Sequence, residues 1–363
     1  MEQFLLFFHK GEFRIIAAFI VAFAVTAWAI PIVIRTAIKK NLFAYPNGRT
    51  VHNKAIPTLG GLGIYSGLLV AKLLCVDFQN IPEFQFLIAG TIIIFMIGLK
   101  DDILLISWQK KLVGQLTAAI IIIILGNMRI TNFYGLLGIH EIPYIVSVLF
   151  TIFVIIVIVN CLNLIDGIDG LAAGLAIVIT ATFGAFFLIN RQVEYSVQCA
   201  ALIGALLPFW AYNVYGNKNK IFMGDTGSLV IGFFIAMLVI KFCQANLDTT
   251  IAYPVQSAPA VAFGILMIPL YDTLRVFVSR MLSNGSPFKA DKNHIHHILL
   301  RLGYSHLKST IILVLVSIFF IILSFFLQDI GMTKLITVLI VLGAIFTTYL
   351  IHLNNIIKKK EKS

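Results

Sequence analysis

Charged residues are scarce in this sequence: they make up 12% of its 363 residues, whereas hydrophobic residues make up 60%. Soluble globular proteins carry about 25% charged residues on average. A soluble domain of this length cannot bury so much apolar surface. The composition therefore excludes the soluble globular class and favours a protein whose solvent is the lipid bilayer.

Cysteines are also few, and none of the four belongs to a C-x-x-C pair. Each lies in or beside an apolar run, as is typical of small buried hydrophobic residues. The sequence therefore favours neither a disulfide framework nor a cysteine-ligated metal. It also lacks internal repeats, low-complexity linkers and any loop long enough to fold alone. We accordingly predict a single membrane-embedded domain over residues 1–363.

Long hydrophobic runs, by contrast, are abundant. A membrane-spanning helix needs about 20 apolar residues, with a range of about 17–25. Several runs meet or approach this length and predict an all-α, polytopic bundle of about eleven transmembrane helices. These lie near residues 13–35, 59–76, 84–99, 112–126, 143–160, 171–189, 197–214, 229–243, 258–278, 309–327 and 335–353.

The net charge of +11 would suit a nucleic-acid-binding protein, but the positions of the charges favour another explanation. Of the 27 Lys and Arg residues, 19 fall in or at the edge of one set of alternating loops between the predicted helices. Loops rich in Lys and Arg stay on the cytoplasmic side of a membrane. We therefore expect an outside N-terminus, a cytoplasmic C-terminus and no nucleic-acid partner.

Carboxylates on this predicted cytoplasmic face need a different explanation. Asp101 and Asp102 follow an apolar run, while Asn163 precedes a DGIDG string at 166–170 and an FMGDTGS string occupies 222–228. Oxygen donors without Cys or His favour Mg²⁺ or Mn²⁺ over Zn²⁺, and glycines permit close approach of a ligand. Each string alone also fits a solvated turn or a helix cap.

Two basic strings lie on the same predicted face. His294, His296 and His297 fall within four residues, and a loop from Gly48 to Lys54 enters the next helix through Pro and two Gly. The histidines suit a diphosphate site, a zinc site with a further ligand, or an exposed surface. Together with the carboxylates, these strings favour phosphoryl transfer at a membrane surface.

In this order, the strings resemble those of the polyprenyl-phosphate N-acetylhexosamine-1-phosphate transferases, which are polytopic phosphoglycosyltransferases. The similarity runs from about Arg49 to Arg301, and the DGIDG and FMGDTGS strings together are highly specific. The H-I-H-H form at 294–297 is similar to the WecA/TagO branch. The MraY branch, which handles a muramyl-pentapeptide, typically carries three consecutive histidines.

The resemblance implies transfer of a sugar-1-phosphate, usually GlcNAc-1-phosphate in this branch, from a UDP-N-acetylhexosamine to undecaprenyl phosphate. The products would be undecaprenyl-diphosphate-sugar and UMP. It also implies a Mg²⁺ or Mn²⁺ cofactor and a cytoplasm-facing site in the bacterial inner membrane. Such a reaction initiates cell-envelope glycan synthesis, for example of lipopolysaccharide or teichoic acid, and the resemblance is compatible with a homodimer.

The resemblance implies roles for individual residues. The implied catalytic residues are Asp101, Asp102, Asp166 and Asp225, and the implied metal ligands are Asp225, Asn163 and Asp166. The first aspartate pair and Lys111 would lie near the lipid phosphate, and the histidines near the diphosphate and sugar. The implied substrate-binding residues are Lys54, Thr58, Lys111, Asn163, Asp169, Asn213, Phe222, His294, His296, His297 and Arg301.

The sequence departs from the family pattern at Leu105, where the first aspartate motif usually has an acid or a lysine. Two other classes of function also stay open. A transporter would use charges within its spans, and Lys72, Asp272 and Arg275 lie within or near predicted helices. A non-enzymatic scaffold would not need the DGIDG and FMGDTGS strings.

Overall fold

A computed structural model describes residues 11–44, 56–282 and 293–360, and 79% of the structure is helical. The predicted nucleotide contact Lys54 lies outside the described residues. The helices are, in chain order, α1 (Gly11–Lys39), α2 (Gly60–Cys75), α3 (Phe84–Leu104), α4 (Trp108–Ile120, continued by a π turn at Ile121–Leu125), α5 (Tyr144–Ile165), α6 (Leu171–Ile189), α7 (Val193–Tyr215), α8 (Gly224–Ala245), α9 (Ala258–Ile265), α10 (Met267–Leu282), α11 (Ile295–Arg301), α12 (His306–Phe326) and α13 (Met332–Lys360).

Within the described residues, four short strands form two antiparallel pairs. β1 (Phe43–Ala44) pairs with β2 (Ile56–Pro57), and β3 (Asn132–Leu136) pairs with β4 (Ile139–Glu141). The first pair brings the chain from α1 back to the start of α2.

The helices confirm a multi-pass membrane protein. Among the described residues, eight helices are long and apolar enough to cross a membrane, or nine if α9 and α10 count as one bent span. All eleven segments predicted as spans are helical, although α2 has only 16 residues. The hydrophobic runs thus predicted the helical segments correctly.

The segment 258–278, predicted as one span, is broken: α9 and α10 meet at 84°. The physical reason is Pro269, because proline has no backbone N–H and its ring clashes with the carbonyl four residues earlier. That carbonyl belongs to Ile265, where α9 ends. The bend redirects α10, whose buried face carries Asp272.

Helix α8 is the centre of the bundle. It is apolar on all sides, and 94% of its most hydrophobic 18-residue stretch is buried, as expected for a helix enclosed by others. Helices α2, α3, α5 and α6 pack around it. Its N-terminal end, which carries the FMGDTGS string, is therefore surrounded by the ends of its neighbours.

The glycines that open α2 allow it to pack against this end of α8. The Gly60 N–H donates to the carbonyl of Phe222 (2.9 Å), and the Gly61 N–H donates to that of Met223 (2.9 Å). A Cβ at Gly61 would approach the backbone of Gly227 to under 3.0 Å. Close backbone packing therefore explains the two glycines.

We predict that Gly61→Ala destabilises the fold by about 1–3 kcal/mol, because the backbone it meets cannot move aside as a side chain can. Thermal unfolding in detergent measures the effect. Gly174→Ala is the matched control, since Gly174 also lies in the first turn of a helix, but its added Cβ would meet neighbours at an ordinary 3.4 Å. Equal melting temperatures for the two variants would contradict the packing role.

Candidate active site

A cavity of about 380 Å³ opens where the ends of several helices meet. The sequence-predicted clusters converge here, including the first aspartate motif, the DGIDG and FMGDTGS strings and one of the histidines. The lining residues are Thr58, Asp102, Asn163, Asp166, Gly167, Ile168, Asp169, Asn213, Phe222, Gly224, Asp225, His297 and His306.

Asp102 holds the N-terminus of α8 in this cavity. Its carboxylate accepts hydrogen bonds from the N–H groups of Asp225 (2.8 Å) and Thr226 (2.9 Å), and from the Thr226 hydroxyl (2.5 Å). Gly224 precedes this turn with a φ of +70°, a left-handed conformation that favours glycine. A Cβ there would lie 2.6 Å from Asp102 Oδ2, so the cap requires the glycine.

Lys111 is the shared counterion of Asp101 and Asp225. Its ammonium contacts Asp225 and lies 2.7 Å from Asp101 Oδ2. Asn163 Nδ2 donates to the other Asp225 oxygen (3.2 Å) and to Ser228 Oγ (2.8 Å). The sequence-predicted lipid-phosphate lysine and two of the three predicted metal ligands, Asp225 and Asn163, therefore form one hydrogen-bonded group.

The surroundings of Asp166 disfavour the ionised form of its carboxyl. Burial raises the pKa of its carboxyl to about 7, and the charges of Asp225 and Asp102 add to the shift. Among the described residues, no three His, Cys, Asp or Glu side chains are gathered as ligands of one ion. The oxygen donors Asp225, Asp166 and Asn163 nevertheless fit a hard divalent cation, which would relieve this repulsion.

Asn213 connects the two glycine-rich strings. Its Oδ1 accepts the N–H of Gly170 (2.6 Å), and its Nδ2 donates to the carbonyl of Ile221 (2.9 Å). Gly170 has a φ of +75° and lies against Trp210. Asn213 lines the cavity as predicted, but both ends of its amide are used to hold the DGIDG string beside the FMGDTGS string.

Two basic residues that the sequence reasoning missed surround Asp169. Its Oδ2 accepts hydrogen bonds from Lys220 Nζ (2.7 Å) and His306 Nδ1 (2.8 Å). Burial alone would raise the pKa of Asp169, but these two partners outweigh it and lower the pKa. Thr310 also donates to the Asp169 carbonyl (2.8 Å). The only sequence signal was the position of each residue: Lys220 lies just before the apolar helix α8, and His306 is the first residue of the apolar helix α12.

The three predicted histidines occupy different environments. His297 lines the cavity, whereas His294 is 5% exposed and His296 is 1% exposed. His294 Nδ1 lies 2.9 Å from Asp272 Oδ2. Burial and the neighbouring His297 lower the pKa of His296 to about 3, so its ring is neutral at physiological pH. The structure thus brings one histidine of the string to the cavity and packs the other two behind it.

Two further positions lie away from the cavity. Leu105 has a φ of +49° in the turn after α3, and it is 87% exposed. A polar side chain in its place would therefore not line the cavity. Arg301, predicted to bind substrate, is exposed at the end of α11.

We predict that Asp169→Asn lowers the melting temperature at pH 7, because the ion pair with Lys220 is lost and the hydrogen bond with His306 is weakened. The folded-state pKa of Asp169 lies below its ordinary value of 3.8. Its contribution is therefore complete well above pH 3.8 and disappears as the pH falls through the folded-state pKa. The melting temperatures of wild type and variant should therefore converge as the pH falls below 3.8 and through the folded-state pKa. A gap that does not change with pH would refute the assignment.

Comparison of the sequence with known proteins identifies the family of this chain. Residues 84–243 match the model of glycosyl transferase family 4. The chain is 32% identical over 315 residues to the probable undecaprenyl-phosphate N-acetylglucosaminyl 1-phosphate transferase of Bacillus subtilis strain 168, covering 85% of this chain and 83% of the relative. It is 29% identical over 286 residues to the undecaprenyl-phosphate alpha-N-acetylglucosaminyl 1-phosphate transferase of Escherichia coli K12, covering 77% and 75%.

The matched region begins at α3, which carries Asp101 and Asp102, and ends in α8 after the FMGDTGS string. It therefore includes the aspartates and the lysine around which the cavity is built. The longer alignment to the Bacillus relative covers most of the rest of the chain. This chain belongs to glycosyl transferase family 4 and is a membrane-embedded transferase.

Proposed function

We propose that this protein transfers GlcNAc-1-phosphate from UDP-GlcNAc to undecaprenyl phosphate, forming undecaprenyl-diphosphate-GlcNAc and UMP. The observation that carries the proposal is a cavity lined by Asp225 and His297, with Lys111 paired to Asp225, in a protein of this family. The names of the Bacillus and Escherichia relatives support both the lipid acceptor and the transferred sugar phosphate.

The cavity supports a nucleotide-sugar donor. Its volume of about 380 Å³ is in the usual range for small-molecule sites. Phe222 supplies an aromatic face on which a base can stack, and Thr58 and Asp169 supply polar groups beside it. His297 would hold the diphosphate or the sugar at the other side of the cavity.

Mg²⁺ or Mn²⁺ is the proposed cofactor, held by Asp225 and Asp166 with Asn163. When bound, it would supply positive charge to the donor diphosphate and the leaving UMP. The family resemblance and the oxygen-only donor set support this cofactor.

The transfer requires two anions to approach each other. An oxygen of the lipid phosphate forms a bond to the β-phosphorus of the donor, and the bond from that phosphorus to the UMP oxygen breaks with its electron pair. Lys111 would hold the lipid phosphate and offset repulsion. Asp101 or Asp102 would accept any residual proton from it. Direct transfer and a covalent aspartyl-phosphate route are both compatible with these residues.

The membrane arrangement completes the proposal. We place the chain in the bacterial inner membrane with eleven spans, an outside N-terminus and a cytoplasmic C-terminus. The excess of Lys and Arg in the loops at the cavity end supports this orientation. Residues 1–363 would form one domain that starts a cell-envelope glycan and associates as a homodimer.

The alternatives have less support. Asp272 and Arg275, the charges that a transporter would use, form an ion pair beside the histidine string, with Arg275 Nη2 2.8 Å from Asp272 Oδ1. Lys72 is buried against the rings of Phe84 and Phe234. Neither group lines the cavity. A muramyl-pentapeptide donor is the alternative within the same chemistry.

We predict that purified protein with undecaprenyl phosphate and Mg²⁺ releases UMP from UDP-GlcNAc. A donor panel should include UDP-GalNAc, a deoxygenated UDP-N-acetyl sugar and UDP-N-acetylmuramyl-pentapeptide, with UMP measured by chromatography. Preference for the pentapeptide donor would favour that alternative. Ligand flux in liposomes without UMP release would instead indicate a transporter.

We predict that Asp225→Asn lowers metal-dependent UMP release by at least about 100-fold, because the proposed metal site loses an anionic ligand. The melting temperature in detergent reports whether the fold survives. Asp248→Asn is the matched control, since Asp248 is an exposed acid after α8 and away from the cavity. Near-normal turnover of a folded Asp225→Asn protein would remove Asp225 from the proposed metal site.

A further inference from the structure

Asp272 is a buried carboxylate that does not line the cavity. It lies on the buried face of α10 and is 0% exposed. Its Oδ1 accepts hydrogen bonds from Arg275 Nη2 (2.8 Å) and the Ile295 N–H (3.0 Å), and its Oδ2 faces His294 Nδ1 (2.9 Å). Burying a carboxylate is unfavourable unless it is paired, and here the partners come from two separate parts of the chain.

These contacts tie the histidine string to α10. Arg275 also donates to the carbonyl of Asn293, the residue just before His294. The Asp272–Arg275 pair therefore holds three successive residues: Asn293 and Ile295 through backbone groups, and His294 through its side chain. An ion pair with Arg275 alone would neutralise Asp272, so the contacts to His294 and Ile295 go beyond charge compensation.

The histidine rings continue the contact from Asp272 toward the cavity. The rings of His294 and His296 are stacked, with centroids 5.7 Å apart and planes at 10°. The rings of His296 and His297 follow at 4.3 Å. His296 also lies against Gly167, where an added Cβ would approach its ring to under 3.0 Å. The string is thus packed between Asp272 on one side and the DGIDG string on the other.

We propose that Asp272 is a positioning residue for the nucleotide-sugar site, and that it acts through His294. Its carboxylate fixes His294 as the tautomer with a proton on Nδ1, and the packed rings then set the place of His297 in the cavity. This inference rests on the proposed function for its effect on turnover. The placement of the histidines by Asp272 can be tested without turnover.

The kinetic test is a double-mutant cycle. Asp272→Asn places an amide donor or a weaker acceptor opposite His294, and His294→Phe keeps the ring stacked on His296 but removes the hydrogen bond. We expect each single variant to lower kcat/KM for UDP-GlcNAc by about 10- to 100-fold, with the KM for undecaprenyl phosphate within about twofold of wild type. The double variant should lose no more than the worse single variant. Losses that multiply would overturn the proposed coupling.

A second readout monitors the histidines directly. Diethyl pyrocarbonate modifies accessible neutral imidazoles, and mass spectrometry locates the modified residues. In wild type, buried His294 and His296 should be protected, while exposed His352 serves as an internal reference. In Asp272→Asn, His294 and His296 should become reactive. Continued protection of both in the folded variant would overturn the proposal even if the protein uses another donor.

A matched control separates positioning from general loss of stability. Glu83 is also a buried acid, and it is paired with Lys241 (3.0 Å) and Tyr195 away from the cavity. Glu83→Gln should lower the melting temperature but leave kcat/KM and the histidine modification pattern as in wild type. If Asp272→Asn does not fold, His294→Ala takes its place, because it removes both the hydrogen bond and the stacked ring. Exposure of His296 is then expected, and its protection counts against the proposal.

Discussion

The hydrogen bonds between Asp102 and the first turn of α8 are the interaction on which the cavity depends. Helix α8 fills the centre of the bundle, so its N-terminal end, with its partial positive charge, lies among the ends of its neighbours. Asp102 joins that end to α3, and the joined turn presents Asp225 to Lys111. The acid on α3 therefore sets the position of the acid on α8.

The same structure explains how so many carboxylates can share one small space. Most have a partner of their own: Asp101 has Lys111, Asp102 has the backbone of α8, and Asp169 has Lys220. Among the described residues, no comparable partner offsets the burial of Asp166 and the charges of its acidic neighbours, and the pKa of its carboxyl is accordingly raised to about 7. Fixed pairs thus give the cavity its shape, whereas burial beside other acids disfavours the negative charge of Asp166.

Sequence patterns predicted the helical segments and most of the residues that line the cavity, because apolar runs and glycine-flanked acids are local signals. They did not predict the break near Leu266, since Pro269 lies inside the continuous apolar stretch 258–271. Nor could they tell which residue a charged side chain contacts. Lys220 and His306 meet Asp169 across the bundle, and no spacing along the chain encodes that distance. The burial of His294 and His296 depends equally on the packing of α10 and α12.

The 84° angle between α9 and α10 means that the two helices cannot both follow the membrane normal. Helix α10 exposes the apolar side chains of Leu274, Phe277 and Leu282, as is typical of a helix that lies against the hydrocarbon layer. The opposite face of the same helix is bonded to the histidine string. Helix α10 is therefore a direct mechanical link between its exposed apolar side chains and the histidine string, so any displacement of the helix would also displace His294 and Ile295.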